Sequence, residues 1–209
     1  MGYAFPMMVP VARERAAALF LDAVDVIRTR VLCWFWGVAY GRKSVFHGPA
    51  MIRTRNRNAI LIGSNVRFNS RGNSNPVGLW GQSILDTRFG GRIVIGENSG
   101  FSAVTISSRT SVIIGKNVLV GGNVKILDHD FHPVEPEKRR SPQDVSAIRS
   151  RPIVIEDDVF IGANAIILKG THIGARSIVA AGSVVFGLDI PPDSMVKGNP
   201  AIIVPKKKG

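Results

Sequence analysis

The sequence predicts an all-β solenoid, a parallel β-helix, and the main observation behind this prediction is a period of six residues. From Ile155 to Val184, five consecutive hexads each begin with an aliphatic residue: IEDDVF, IGANAI, ILKGTH, IGARSI and VAAGSV. This period matches neither the roughly 3.6 residues of an α-helical turn nor the simple alternation of a strand. It fits a chain that turns every few residues and stacks its leading aliphatic side chains in a shared core. Three hexads would close one coil, so that Ile155 would lie over Ile173 and Ile161 over Val179.

Two further patterns support this prediction. The fifth place of every hexad holds a residue that fits a tight inward corner, namely Val159, Ala165, Thr171, Ser177 and Ser183. Upstream, Gly-x-Asn follows an aliphatic residue at Ile62, Ile95 and Ile114. Gly and Asn tolerate the left-handed backbone conformation that sharp corners need. A β-sandwich is the main alternative, but its turns would recur about every 8–12 residues, so the sequence favours the β-helix.

Ahead of the β-helix, which we assign to residues 44–204, residues 1–43 predict an amphipathic helical segment. Its apolar residues recur at intervals of three or four: Leu19, Phe20, Ala23, Val24, Ile27, Val31 and Leu32. The apolar stretch 31–40 is too short to span a bilayer, and Asp22 and Asp25 interrupt the residues before it. One interpretation is a helix lying in the membrane interface, with Trp34 and Trp36 at the level of the lipid headgroups. The other is a helix that caps the open end of the coil stack.

The charge and the cysteine content narrow the possible function classes. The chain of 209 residues carries a net charge of +12, which implies an anionic ligand or surface nearby. Cys33 is the single cysteine, so a disulfide framework within the chain and a cysteine-rich zinc site are both excluded. Positive residues cluster in the N-terminal segment, at Arg53, Arg55 and Arg57, and in a basic tail at residues 205–209. We interpret the three alternating arginines as protection of an edge strand.

The six-residue rhythm stops after Ile126 and resumes near Ile153, which leaves a protruding polar loop at about residues 128–152. A loop that projects from a rigid scaffold is a candidate active-site loop. His129 and His132 lie at its root, and Glu135 follows them. Histidine is well suited to proton abstraction near neutral pH, and a neighbouring carboxylate can orient its ring. The loop therefore predicts general-base chemistry.

Metal chemistry is the alternative for the same histidines. Asp-His-Asp-Phe-His contains ligand-type residues, and the gamma-class carbonic anhydrases hold zinc with histidines shared between β-helical subunits. Such a site needs a third histidine about two coils away, but the sequence has none between His47 and His129. We therefore expect no metal. A non-catalytic β-helical scaffold remains the second alternative, and the intact loop motif argues against it.

Three motifs carry a resemblance to a known family. They are Asp-x-Asp-Phe-His-Pro-x-Glu-Pro-Glu-Lys-Arg at 128–139, Val-Phe-Ile-Gly-Ala at 159–163, and Gly-Ser-Val-Val at 182–185, followed by Asp-Ile-Pro-Pro and Gly-Asn-Pro-Ala. Over residues 93–204 the chain resembles the hexapeptide-repeat acyltransferases, in the branch of galactoside, maltose and polysaccharide-modifying O-acetyltransferases. The resemblance implies a left-handed parallel β-helix of hexapeptide repeats, a homotrimer with active sites between subunits, and acetyl transfer from acetyl-CoA to a sugar hydroxyl.

The resemblance also implies roles for particular residues. The histidine before Pro-x-acidic-Pro is the family's catalytic base, which makes His132 the base here; His129 and Glu135 complete the catalytic group as weaker candidates. The resemblance implies a donor groove at Phe160, Ala163, Ala181 and Gly182. Gly121 is assigned to the site from its position alone. Lys197 and Lys206 are assigned because they can supply the positive charge of the family's lysine, which is missing at 186–188. Phe160 stands where the branch has Trp. The family's acceptor-binding Asn is missing from the matching stretch 100–103, which puts a galactoside acceptor in doubt.

The expected partners follow from these assignments. They are acetyl-CoA, a sugar or lipid-linked sugar acceptor, two further copies of the chain in a homotrimer, and an anionic membrane if the N-terminal segment binds lipid; we expect no nucleic acid. Outward apolar residues predict the subunit contacts: Ile166, Leu168, Ile178, Val184 and Phe186. The location is predicted to be cytoplasmic, at the inner face of the membrane in the lipid-binding case. The insert at 73–80 is interpreted as packing for a neighbouring subunit, and an acceptor-contacting loop is the alternative.

Overall fold

A computed structural model describes residues 8–72, 74–141 and 145–204, with side chains described from Phe20 onward. In chain order the elements are α1 (Met8–Trp36), β1 (Ala39–Tyr40), β2 (Val45–His47), β3 (Ala50–Arg53), β4 (Ile60–Ile62), β5 (Arg67–Asn69), β6 (Ser83–Asp86), β7 (Arg92–Ile95), β8 (Gly100–Ser102), β9 (Thr105–Ser107), β10 (Ser111–Ile114), β11 (Leu119–Gly122), β12 (Lys125–Leu127), α2 (Pro136–Arg139), a 3-10 turn (Val145–Ala147), β13 (Ile153–Ile155), β14 (Phe160–Ile161), β15 (Ile166–Leu168), β16 (His172–Ile173), β17 (Ile178–Val179), β18 (Val184–Phe186), β19 (Asp189–Ile190), β20 (Met195–Gly198) and β21 (Ala201–Val204).

The strands form three sheets that make the faces of a triangular prism. Sheet A contains β1, β4, β7, β10, β13, β16 and β19; sheet B contains β2, β5, β8, β11, β14, β17, β20 and β21; sheet C contains β3, β6, β9, β12, β15 and β18. Each of the first six coils contributes one strand to A, B and C in turn, and the last coil contributes β19 to A and both β20 and β21 to B. The pairings are parallel except for β20 with β21. The predicted fold class, a left-handed parallel β-helix, is confirmed. Its hand is opposite to that of nearly all parallel crossovers.

The core follows the predicted six-residue period. Ile155 pairs with Ile173 and Ile161 with Val179, as expected for three hexads per coil. All six leading aliphatic residues from Ile155 to Val185 are at most 1% exposed. In the first coils the same position in sheet B is aromatic, and Phe46, Phe68 and Phe101 stack at 4.3 and 4.8 Å between ring centroids. Each such side chain contributes about 1.5–3 kcal/mol by burial, which stabilises the stack of coils.

The corners between sheets A and B explain the Gly-x-Asn motifs. Asn65, Asn98 and Asn117 have φ angles of 57°, 60° and 55°, in the left-handed region that Asn tolerates better than most residues. The preceding glycine is needed for a different reason. A Cβ on Gly96 would lie 2.4 Å from the carbonyl carbon of Gly115 in the next coil, so a side chain there would separate the coils.

Helix α1 covers the open end of the first coil. On its buried face the Thr29 hydroxyl accepts a hydrogen bond from the Phe46 N–H at 3.0 Å, and Asp25 accepts one from the Gly48 N–H at 3.1 Å. Asp25 also forms ion pairs with Arg28 and Arg71. Cys33 lies on this face, and burial raises the pKa of its thiol to about 12, which excludes it as a nucleophile at neutral pH. Residues on this face of α1 therefore cap the β-helix.

The opposite face of α1 is apolar and exposed. It consists of residues 40–74% exposed, which we call the apolar stripe: Phe20, Val24, Ile27, Val31, Trp34 and Phe35. In the part of the chain that the structure describes, no helix is long and apolar enough to cross a membrane. The first strand begins at Ala39, before the domain boundary that the sequence analysis drew at residue 44.

One cluster near α1 has the composition of a metal site but a structural role. Asp22, Asp25 and His47 bring three potential ligand atoms within 4.8 Å of one another, and across residues 20–72, 74–141 and 145–204 no other such group occurs. The carboxylate of Asp25 already accepts two arginines and a backbone N–H. Asp22 pairs with His47 at 3.2 Å. The cluster therefore joins α1 to the first coil, and neither His129 nor His132 belongs to it.

Two loops leave the prism at different corners. Residues 70–82 connect β5 to β6 at the corner between sheets B and C, and residues 128–152 connect β12 to β13 at the corner between sheets C and A. Because the corner between C and A is the one that sheet B does not touch, the second loop projects on the side opposite to sheet B.

Candidate functional site

The root of the 128–152 loop is held by a buried carboxylate. Asp128 accepts hydrogen bonds from the Ser108 hydroxyl, the Arg109 and Thr110 N–H groups, and the His129 ring at 2.7–2.9 Å. Burial by itself would raise the pKa of Asp128, but these donors outweigh it, led by His129, and the pKa lies below its ordinary value. The two arms of the loop are also joined, since the Arg151 N–H donates to the Asp128 carbonyl at 2.9 Å.

His129 lies inside this root rather than at its surface. Its side chain is 1% exposed, and Nδ1 is 2.9 Å from the Asp128 carboxylate. The ring packs against Phe131 and Phe89 at centroid distances of 4.8 and 6.0 Å. Its Nε2 is buried and has no hydrogen-bond partner among the described residues. The ring therefore has the orientation of a general base, but the aromatic side chains above it separate it from solvent.

His132 is exposed at the outer side of the same loop. It lines a cavity of about 380 Å³ together with Phe89, Phe131, Pro133 and Arg139. No carboxylate of the described chain contacts its ring. A substrate can reach His132 directly, whereas it cannot reach His129 unless the aromatic residues move.

Glu135 braces the loop and does not contact His132. Its carboxylate accepts a hydrogen bond from Arg149 at 2.6 Å, which joins the outgoing and returning arms. A hydrogen bond to its own backbone N–H, followed by that from Arg149, lowers the pKa of Glu135. Asp130 makes a similar link to Lys169 of the neighbouring coil. These two ion pairs hold the segment that carries His132 from both sides.

Three of the predicted donor-binding residues meet in a groove on sheet B. Gly121, Phe160 and Ala163 line a cavity of about 480 Å³, which we call the sheet B groove. A Cβ on Gly121 would lie 2.6 Å from the Ala163 nitrogen, so close stacking of the coils requires glycine there. The groove is therefore shallow and lined by small residues, and the half-exposed Phe160 ring lies beside it.

The remaining donor-binding residues extend the same side of the prism. Ala181 and Gly182 follow β17, and Gly182 has φ +70° with open space where a Cβ would be. Lys197 is an exposed residue of β20, in the next strand of sheet B. Lys206 lies outside the described residues. The structure therefore brings six predicted residues from four successive coils to one side of the molecule.

Sequence reasoning missed two residues at the groove. Asn69 and Asn75 both donate from Nδ2 to the Ser102 hydroxyl, at 3.2 and 3.0 Å. The coil before the stretch that lacks the family's Asn therefore places two amide groups beside that stretch. The strand register, which places Asn69 beside Ser102, could have predicted the position of Asn69 from the sequence. The position of Asn75 could not be predicted, because it depends on the path of an irregular loop.

The 70–82 loop packs along the corner of the solenoid of its own chain, and the predicted packing against a neighbouring subunit stays a prediction. The Trp80 N–H donates to the Asn123 side chain, which in turn donates to the Gly78 carbonyl, both at 2.9 Å. Val77 covers Gly122 so closely that a Cβ there would be 2.6 Å from it. The Trp80 side chain itself is 83% exposed, so the backbone and Val77 provide the packing.

A single chain does not bring the histidines and the groove together. His132 projects from the corner between sheets C and A, whereas Gly121, Phe160 and Ala163 lie on sheet B across the prism. The outward apolar residues of sheet C and of β17 are only partly covered in the chain, and Phe186 is 52% exposed. A site that contains both parts needs a second copy of the chain.

Comparison with known proteins identifies the class. A family model described as a hexapeptide repeat of succinyl-transferase matches residues 152–186. The putative lipopolysaccharide biosynthesis O-acetyl transferase WbbJ of Escherichia coli K12 is 31% identical over 206 residues, covering 96% of this chain and 94% of that protein. The chain belongs to the hexapeptide-repeat acetyltransferases.

Two further similar proteins are also acetyltransferases. The galactoside O-acetyltransferase of Lactococcus lactis is 35% identical over 118 residues, which cover 55% of this chain and 54% of that protein; the chain thus aligns with about half of that relative. A hexapeptide-repeat acetyltransferase of Vibrio cholerae, solved as a complex with acetyl-coenzyme A, is similar with a TM-score of 0.56 and 25% identity, covering 100% of this chain and 94% of that one. The family predicted from the sequence is confirmed, and the predicted enzyme class agrees with the names of these relatives.

Proposed function

We propose that this protein transfers an acetyl group from acetyl-CoA to a hydroxyl group of a sugar or of a lipid-linked sugar, with His132 as the general base. The observation that carries the proposal is that one chain has both an exposed loop histidine and, on another side, a narrow groove of small residues. Asn69 and Asn75 present polar groups beside that groove. The relatives named as O-acetyltransferases support the same chemistry.

In the proposed reaction the acceptor oxygen attacks the thioester carbonyl and His132 accepts the hydroxyl proton. The bond to sulfur breaks, and the proton passes from His132 to the leaving thiolate, which leaves as CoA. We assign stabilisation of the oxyanion to the backbone N–H of Gly121, since groups of this kind contribute about 2.7–4 kcal/mol in acyl transfer. Glu135 and Asp130 hold the loop through Arg149 and Lys169 and take no proton.

Release of CoA tests this function directly. The purified chain is incubated with acetyl-CoA and a panel of free sugars, nucleotide sugars and lipid-linked sugars, and free thiol is measured over time. We expect acceptor-dependent release with at least one sugar, and mass spectrometry should show the sugar heavier by one acetyl group. If no acceptor raises the release of thiol above that of acetyl-CoA alone, the chain is a scaffold without this activity.

We further propose that the active unit is a homotrimer in which His132 of one subunit faces the sheet B groove of the next. Support comes from the separation of these parts within one chain and from the outward apolar residues. A three-fold axis parallel to the prisms would bring the C–A corner of each subunit to a neighbour.

Subunit complementation should reveal shared sites. His132→Ala and Ala163→Trp variants are each expected to be inactive, because one removes the base and the other fills the groove. After mixed refolding, about a quarter of the wild-type activity should return, since a site is intact only when both of its contributing subunits supply the native residue. A mixture that stays inactive, or a monomeric mass at micromolar concentration, would contradict the shared site.

The location of the enzyme is also a proposal. We place it on the cytoplasmic face of an anionic membrane, held by the apolar stripe of α1, where lipid-linked sugars are within reach. The exposed aromatic and aliphatic residues of the stripe support this, since interfacial helices bury such a face among the headgroups. Deletion of α1 cannot test membrane binding by itself, because the other face of the helix caps the first coil and its loss would disturb the fold. Substitutions within the apolar stripe avoid this effect.

A further inference from the structure

The N-terminal end of the prism is an apolar face with positively charged edges. The apolar stripe points away from the β-helix, because the residues that face the first coil (Asp25, Thr29 and Cys33) are buried on the other side of α1. The acidic groups at this end are already paired: Asp22 with His47, and Asp25 with two arginines. The described part of this end therefore presents an apolar centre and unneutralised cations.

Three of these cations line one pocket beside the stripe. Arg30, Arg42 and Lys43 border a cavity of about 570 Å³ together with Tyr40 and Val26, which we call the basic pocket. The three basic side chains are exposed, and no carboxylate of the described residues lies within ion-pair distance of them. Arg30 connects the pocket to the stripe, because Ile27 and Trp34 are its neighbours three and four positions away along the helix.

The backbone holds the pocket in place. The Gly41 N–H donates to the Ile62 carbonyl at 2.8 Å, and the Arg42 carbonyl accepts from the Asn65 N–H at 2.8 Å. The Ser44 hydroxyl donates to the Gly63 carbonyl at 2.6 Å. The loop that carries two of the three cations is thus fixed to the second coil, and its charges are positioned before any ligand binds.

Lys43 lies at a corner position that asparagine occupies in the following coils. It has φ +61° and takes the place that Asn65, Asn98 and Asn117 occupy in the next three coils. A lysine in the left-handed region is strained relative to asparagine, and strain of this kind is concentrated at functional sites. Arg176 is the other basic residue at this type of corner, but it pairs with Asp193 at 2.7 Å, whereas Lys43 has no acidic partner among the described residues.

We infer that the basic pocket binds the phosphate group of an anionic phospholipid while the apolar stripe enters the bilayer interface. This inference rests on the proposed membrane location and adds a headgroup site to it. Cations recognise the phosphate charge, Tyr40 lines the same pocket, and Ile27 and Trp34 enter the acyl boundary beside Arg30. In a trimer with a three-fold axis along the prisms, three such ends would lie in one plane and bind one surface together.

The test is sedimentation of the full chain with phosphatidylcholine vesicles that do or do not contain phosphatidylglycerol. The pocket variant is Arg42→Gln/Lys43→Gln, and the stripe variant is Ile27→Ser/Trp34→Ser. The matched control, Arg92→Gln/Lys125→Gln, changes the net charge equally at exposed positions of the third and fourth coils. Wild type should bind the anionic vesicles only, and the pocket variant should bind about 30-fold more weakly, since each basic residue near an anionic surface contributes about a fivefold factor. The control should bind as wild type does.

The other possible results distinguish a headgroup site from attachment by the apolar stripe alone and from a site for free phosphate. A pocket variant that binds as tightly as wild type overturns the headgroup site while leaving stripe-driven attachment in place. Wild type that ignores all vesicles overturns both the site and the membrane location, but acceptor-dependent CoA release would still test acetyl transfer independently. Displacement of the protein from anionic vesicles by millimolar glycerol phosphate, at constant ionic strength, would support the phosphate site, whereas a wild type that binds glycerol phosphate in solution but sediments with neither kind of vesicle would assign the pocket to a free phosphate ligand and overturn the bilayer assignment.

Discussion

Replacing His132 with alanine should reduce turnover at least about a hundredfold, because a general base contributes typically about 10²–10⁴-fold. The side chain is exposed and lies outside the buried root of the loop, so the fold and the sheet B groove should be unchanged. The measurements are kcat from CoA release, the affinity for CoA by calorimetry, and the mass of the assembly. We expect only kcat to fall, which is the pattern of a group that acts in the transition state.

His129→Ala is the comparison variant. It removes a buried ring that packs on Phe131 and donates from Nδ1 to the Asp128 carboxylate, so it should lower the melting temperature. Its turnover per folded protein should fall much less than that of His132→Ala. A nearly inactive but well-folded His129 variant, with His132→Ala active, would reverse the assignment and make the Asp128–His129 pair the base, with Phe131 as a side chain that must move aside.

The second large effect is expected at Asp128. Its carboxylate accepts from Ser108, Arg109, Thr110 and His129 in a buried setting. Asp128→Asn replaces one acceptor oxygen with an amide NH2 group that faces these donors, so we expect a loss of about 3 kcal/mol in the free energy of unfolding. Chemical denaturation measures this value, and early proteolysis within 128–152 should report the loosened loop. Asp157→Asn keeps a side-chain oxygen that can accept from the Lys116 N–H, so it should cost less than about 1 kcal/mol.

The same carboxylate predicts an acid-dependent step. Because the pKa of Asp128 is lower in the folded chain than in the unfolded chain, its stabilisation is complete above the unfolded pKa of about 4 and is lost as the pH falls through the folded value. The difference in stability between wild type and Asp128→Asn should therefore be largest above about pH 5 and shrink at lower pH. A difference that is independent of pH from 3 to 7 would contradict an ionised Asp128.

The repeat by itself determined the fold, because each hexad encodes its own strand and corner. Ile155 and Ile161 predicted their partners Ile173 and Val179 one coil later, and the structure has both pairs. The interrupted rhythm after Ile126 likewise located the loop with His129 and His132, since a solenoid can insert residues only at a corner. The predicted donor-binding residues Phe160, Ala163 and Ala181 came from the family resemblance, and Gly121 and Lys197 came from position and charge; all five lie on one side because one sheet repeats every coil.

Only the tertiary structure decided what depends on the register between distant segments and on burial. It distinguished the buried His129 from the exposed His132, two residues that the sequence places in nearly the same setting. It brought Asn69 and Asn75 to Ser102 because the coil that contains them carries an irregular loop whose length obscures the repeat. It also divided α1 into a capping face and an exposed apolar stripe. An amphipathic pattern shows which residues share a helix face, but only packing shows whether that face meets protein or is left open.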